Sequence, residues 1–218
     1  MAKSNVRDSI KLTSVDDLFS TEESRTEQQR EKVMDIPLSE ISDFLNHPFK
    51  VKADESMLEM ADSVKQYGVL VPGLARPKEG GGYEMVSGHR RKKASELAGK
   101  ETMPCIVREM DDDESTIIMV DSNLQRENIS PSEKAFAYKM KLEAMNRKAG
   151  RPSNKNRSQL GNNFSNKRTS EVLAEQVGES KNQIFRYIRL TELSPPILEM
   201  VDEKQIAFNP AVELSYLA

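Results

Sequence analysis

Apolar positions recur along this chain with two different periods, and the change from one to the other divides it. Between about residues 32 and 110, short apolar runs alternate with a helical repeat. Val33-Met34-Asp35-Ile36 predicts a short strand ending at Pro37, and Asn46 to Val51 (NHPFKV) a loop leading into an extended piece. From Glu55 to Tyr67, Met57, Met60, Ala61 and Val64 recur at helical spacing, and Gly68 closes the helix. Val69 to Ala75 reads as an apolar strand interrupted by Pro72, with PKEGGG (Pro77 to Gly82) as a turn. Tyr83, Met85 and Ser87 alternate with Glu84 and Val86, the pattern of a half-buried strand. Gly88 then permits a sharp bend. Ala94, Leu97 and Ala98 form the apolar stripe of a helix that stops at Gly99, and Met103 to Val107 is one more strand. Strands alternating with helices predict a small α/β domain.

After residue 110 the period is helical throughout. Asp111 to Glu114 suit the start of a helix through its dipole, and that helix delivers Asn123, Gln125 and Arg126 near its far end. Ser130-Pro131-Ser132-Glu133 is a capping box with proline at the first helical position, followed by a stripe of Ala135, Tyr138, Leu142 and Met145. Residues 169–190 have the layout of a helix-turn-helix. Ala174 is small where two helices cross, Gly178 sits at the turn, and Ile184 points back toward Leu173, Val177 and Tyr187 or Ile188. Ser180 and Gln183 predict a capping box, and the second helix presents Lys181, Asn182, Gln183, Arg186 and Arg189 outward. These residue types hydrogen-bond base edges or phosphates, which favours a DNA reader over an ordinary helical hairpin. Segments broken at Pro195-Pro196 and Asn209-Pro210 buttress the motif, and Asn209 is a further candidate to approach DNA.

Composition narrows the class. The 218 residues are 37% hydrophobic and 31% charged, and no apolar run is long enough to span a bilayer. The N-terminus lacks a secretory pattern, so the expected address is cytoplasmic. A single cysteine, Cys105, rules out an internal disulfide framework, and its apolar neighbours predict a small buried side chain. The net charge of -3 hides an asymmetry: residues 147–168 hold seven basic residues and no acidic one. That segment reads as a linker, either solvated or holding DNA phosphates non-specifically. Residues 1–31 are polar and without a period, the composition of a disordered tail.

The most suggestive stretch is Val86 to Gly99, VSGHRRKKASELAG. A strand runs through a glycine turn into a helix whose first turn carries Arg90 and Arg91, so unpaired N–H groups, the helix dipole and two guanidinium groups coincide. That makes either a polyphosphate seat or an exposed basic helix face, and the rest of the chain decides.

Two boxes do so. GHRRKKA (Gly88 to Ala94) is similar to the GERRxRA box of the ParB family of plasmid and chromosome partition proteins, and SNLQREN (Ser122 to Asn128) to its ENxQR box. With the helix-turn-helix behind them, the chain from about Val33 to Ala218 resembles that family. NHPFKV and GVLVPGLARP fall where the family's nucleobase-contacting segments lie. The resemblance implies an α+β fold: a tail over 1–31, a ParB/sulfiredoxin-like nucleotide-binding domain over 32–126, and a helical DNA-binding domain over 127–218. It implies CTP and Mg2+ as cofactors, held by Gly88, His89, Arg90, Arg91, Ser122, Asn123 and Arg126, with Asn123 toward the metal. It implies DNA contacts from Ser180, Lys181, Asn182, Gln183, Arg186 and Arg189 to a palindromic centromere-like duplex. A ParA-type ATPase partner and a homodimer that closes as a clamp on DNA belong to the same expectation. The family also ends in a C-terminal dimerisation domain, which the sequence as given does not reach.

Departures matter. Ser122 stands where the family has a glutamate, which puts CTP hydrolysis in doubt, and Asp121 points about 100° away on a helix. His89 replaces another glutamate, either as a phosphate neighbour or as a solvent-facing helix residue. A transcription regulator without nucleotide gating and a nucleotide-using enzyme on the same fold are the competing readings. Sulfiredoxins place a catalytic cysteine where this chain has Gly88, which argues against their reaction.

Overall fold

A computed structural model describes residues 32–51, 54–126, 128–150 and 169–217. The expectations for the tail over 1–31 and for the linker beyond Gly150 lie outside these residues. The fold is α+β: a mixed five-stranded sheet with helices, followed by an all-helical domain.

The sheet has the order β1-β5-β3-β4-β2. Its strands are β1 (Val33–Pro37), β2 (Ile41–Ser42), β3 (Gly73–Pro77), β4 (Tyr83–Ser87) and β5 (Thr102–Val107). β1 pairs antiparallel with β5 and β3 with β4, while β3–β5 and β4–β2 are parallel. Helix α1 (Glu55–Tyr67) follows the predicted period: Asp54 caps it by accepting from the Met57 N–H, Met57, Ala61 and Val64 are buried, and Gly68 ends it at φ 73°. It packs with Ala94 of α2 (His89–Leu97). Ile36, Ile41, Ala75, Met85, Met103 and Cys105 form the core beneath. Val86, from the opposite side of β4, packs with Phe44, Phe49, Met119, Val120 and Ala137.

Three local expectations are corrected. β3 begins after Pro72, because a proline has no N–H to give the ladder and residues 69–72 turn instead. β4 is not half-buried: Glu84, Met85 and Val86 are all buried, since this interior strand has a core cluster on each face. Leu97 is 51% exposed, and Ala94 rather than Leu97 carries the packing of α2.

Helix α3 (Asp112–Leu124) is capped by Asp111, whose carboxylate accepts from the Glu114 N–H. α4 (Pro131–Gly150) runs along it. The predicted box at Ser130 is complete: Glu133 accepts from the Ser130 N–H at 3.1 Å and the Glu133 N–H donates to Ser130 Oγ at 3.3 Å. α4 extends into the expected linker because the acidic start of α3 meets its end. Arg147 pairs with Asp113 at 2.7 Å, and Lys148 lies near Asp111 and Glu114. α5 (Thr169–Val177) and α6 (Lys181–Arg189) form the helix-turn-helix, with Gly178 at φ 69° in the turn. Leu173 and Ile184 are fully buried with Tyr138 of α4, as the spacing predicts. α7 (Pro195–Asp202) and α8 (Phe208–Leu214) complete the domain. Their prolines lie inside first helical turns, where a missing N–H costs nothing, so they start helices rather than break them. Among the described residues no helix is long and apolar enough to cross a membrane.

Candidate nucleotide and DNA sites

Gly88 caps α2 at φ 115°, left-handed backbone that glycine adopts without strain. A Cβ there would meet the Gly73 backbone at 3.2 Å and the Arg91 guanidinium at 3.3 Å. The two arginines that follow diverge. Arg90 donates to Ser56 Oγ at 2.6 Å and lies 3.6 Å from Asp54, so the start of α1 orients it. Arg91 donates to the Val71 and Pro72 carbonyls, both at 2.7 Å, and holds the turn before β3. Burial lowers its pKa from the usual guanidinium value.

Arg90 meets Arg126, from just past α3, on the wall of a cleft of about 630 Å³. Lys50 and the carboxylates of Asp54, Glu133, Glu199, Asp202 and Glu203 share that wall. Three of these carboxylates are engaged at the wall itself: Asp54 lies by Arg90, Glu133 accepts from the Lys50 N–H at 2.8 Å, and Asp202 accepts from the Ser132 N–H at 2.9 Å and from its hydroxyl. The unspent guanidinium capacity of Arg90 and Arg126 suits an anionic occupant.

The other predicted residues lie off this wall. Ser122 Oγ and Asn123 Nδ2 both donate to the Met119 carbonyl at 2.9 Å, closing the last turn of α3. Asn123 Oδ1 remains its acceptor. Among the described residues no group of three His, Cys, Asp or Glu side chains is placed to hold a metal. A magnesium ion carried by a nucleotide draws most of its ligands from phosphate and water, so one amide oxygen fits such a role. Asp121 is committed elsewhere, paired with the buried ammonium of Lys141.

His89 is buried, not solvent-facing. Its ring lies 4.0 Å from that of His47, centroid to centroid, over a second cleft of about 250 Å³. His47 Nδ1 lies 2.7 Å from the Phe49 carbonyl and donates to it. Burial, reinforced by the neighbouring His47, depresses the His89 pKa to about 4, and burial also lowers that of His47. Both rings are neutral near pH 7. Lys50 and His47 are the residues the motifs alone did not single out. Their signal was the NHPFKV loop itself, whose partners lie far away in sequence.

In the helical domain, Ser180 Oγ accepts from the Gln183 N–H at 3.1 Å. The reciprocal half of the expected box is replaced, since Gln183 Oε1 accepts from Arg186 at 3.4 Å. Asn182 is exposed, and Lys181 lies 3.6 Å from Glu171. Arg186 donates to Asn209 Oδ1 at 2.7 Å and stacks over Phe208. Arg189 donates to the Ser215 carbonyl at 2.7 Å and stacks over Tyr216, with its Nε buried and unpartnered. The free outward row expected at 186 and 189 is therefore half consumed by α8 and the turn after it.

This pairing defines a class: an α+β domain with an arginine-bearing helix start, set ahead of a helix-turn-helix domain. Comparison with known proteins makes it specific. The models of the ParB N-terminal domain and the ParB HTH domain match residues 22–124 and 158–217. The chain belongs to the ParB family. It is 34% identical over 185 residues to the chromosome-partitioning protein Spo0J of Thermus thermophilus, covering 85% of this chain and 60% of that one. A C-terminally truncated ParB of Caulobacter crescentus complexed to the centromeric parS site shares the fold at TM-score 0.52 and 24% identity, covering 84% of each chain. A structure of the Caulobacter protein complexed with CTP-gamma-S aligns at TM-score 0.41 and 25% identity over 85% of this chain and 92% of that one, too loosely for its contacts to be carried across. The chain spans about three fifths of the length of the Thermus relative.

Proposed function

We propose that this chain is a site-specific DNA-binding partition protein whose N-terminal domain takes CTP with Mg2+ to close a homodimeric clamp on DNA. Its α5–α6 motif reads a palindromic, centromere-like duplex. A ParA-type ATPase is the expected partner, and the bacterial cytoplasm, on nucleoid or plasmid, the expected place. The observation that carries this reading is the convergence of Arg90 and Arg126 on one cleft, apart from the exposed Asn182 of the recognition helix, which does not line it. Gly88 and Arg91 shape the same helix start, His89 flanks it, and Asn123 offers an oxygen to the metal. Ser180, Lys181, Asn182, Gln183, Arg186 and Arg189 make up the DNA surface, with Asn209 orienting Arg186. The proposal is one of binding: Ser122 brings no carboxylate, and Asp121 is turned to Lys141.

Separate sites predict separable defects. Arg90→Ala is expected to weaken CTP binding by about tenfold, about 1.4 kcal/mol, and to leave duplex affinity unchanged. Asn182→Ala should lose about 1–3 kcal/mol of discrimination between cognate and random duplex while keeping CTP affinity. Calorimetry and duplex titration on both variants check this, and equal loss of both functions in either one contradicts it.

A further inference from the structure

The residues that α6 leaves most open are not its arginines. α8 and the turn after it take up the side chains of Arg186 and Arg189, through Phe208, Asn209, Ser215 and Tyr216. Ile184 is sunk in the core on the other side. What α6 leaves most open is Asn182 and, three residues on, Phe185, which is 44% exposed. Residues at this spacing are neighbours on one helix face. Phe185 packs in none of the apolar clusters formed by the described residues.

A phenyl ring can neither donate nor accept a hydrogen bond at a base edge. The major groove offers one apolar group to such a ring, the 5-methyl of thymine. Asn182 beside it has the paired donor and acceptor that match adenine N7 and N6. The two side chains together suit a step that contains A·T pairs.

We infer that Phe185 is a specificity residue of the DNA surface, packing its ring on the 5-methyl group of a thymine beside the base that Asn182 reads. The inference rests on the reading of α5–α6 as the DNA-binding motif. The side chain that carries it is neither basic nor amide, which is why residue types alone pass over it.

The test begins with selection of the preferred duplex from a random-sequence pool by the whole chain. Each thymine is then replaced singly by deoxyuridine, which removes only the methyl group. At one position per half-site, the replacement is expected to weaken wild-type binding by about fourfold, the worth of one buried methylene-sized group. Phe185→Ala should bind more weakly and be indifferent to the swap at that position, whereas Phe185→Leu, which keeps an apolar contact, should stay sensitive. Wild-type affinity unchanged at every thymine overturns the inference, and so does a Phe185→Ala variant as sensitive as wild type. Failure of the pool to yield any preferred sequence overturns the DNA-reading motif itself, so the two failures are distinct. An unchanged Tm for Phe185→Ala, expected from its exposure, shows that the fold is intact.

Discussion

His89 is a buried titratable residue at the start of α2. Its ring is buried against His47, and burial first, then the neighbouring His47, hold its pKa at about 4 against 6.5 for a free histidine. Between those two values the unfolded chain binds more protons than the folded one. Stability is therefore nearly flat above pH 7 and falls as pH drops from about 6.5 toward 4. From pH 7 to pH 5 the loss from this one group is about 2 kcal/mol, and His47, shifted the same way, adds to it. Urea denaturation at the two pH values measures it. His89→Gln, which has no proton to take up, should show a shallower dependence, and equal slopes in both proteins would contradict the assignment. His89 stands out in the sequence because it replaces a box glutamate. Its burial does not, because His47 belongs to a loop brought over α2 only by the fold.

Between elements, the pairing of α3 with α4 fixes where the SNLQREN box sits. Lys141 is 1% exposed while its partner Asp121 is 47% exposed, so the burial falls on the ammonium. Removing the carboxylate leaves a buried charge unpaired, whereas removing the lysine leaves a carboxylate that water can reach. Asp121→Ala should therefore cost roughly 3 kcal/mol, and Lys141→Met much less. Denaturant midpoints for the two variants decide it, and equal losses would show that the pair is not asymmetric.

Elements differ in how plainly the sequence announces them, for physical reasons. α1 is legible end to end, because Asp54 caps it, Met57, Ala61 and Val64 keep its period, and Gly68 stops it. β2 is only Ile41–Ser42, too short to hold a period, and exists through parallel pairing with Tyr83 and Glu84. β4 looks alternating, yet α3 covers the face that Val86 presents. α6 shows its cap and its core residue, but nothing local says that Asn209 and Ser215 take up Arg186 and Arg189.

Across the whole molecule, the boxes name the chemistry and the fold distributes it. Of the two arginines beside Gly88, the structure sends Arg90 to the cleft and gives Arg91 to the Val71–Pro72 turn. Arg126 arrives from just past α3, and Lys50 from a loop whose backbone is pinned by Glu133. That convergence is long-range, so motif order could suggest it but only tertiary structure could place it. It also puts the cleft against both domains, since Asp202 of α7 lines it and holds the start of α4. The cleft therefore borders the α+β domain and the helical domain at once.

The central claim is that the Arg90–Arg126 cleft is a CTP site. Calorimetry of the whole chain with CTP, ATP, GTP and UTP, each with Mg2+, tests it most directly. The expected result is saturable binding of CTP, with the other three weaker by at least about tenfold, a difference of about 1.4 kcal/mol. Equal binding of all four, or no binding of CTP, would contradict it.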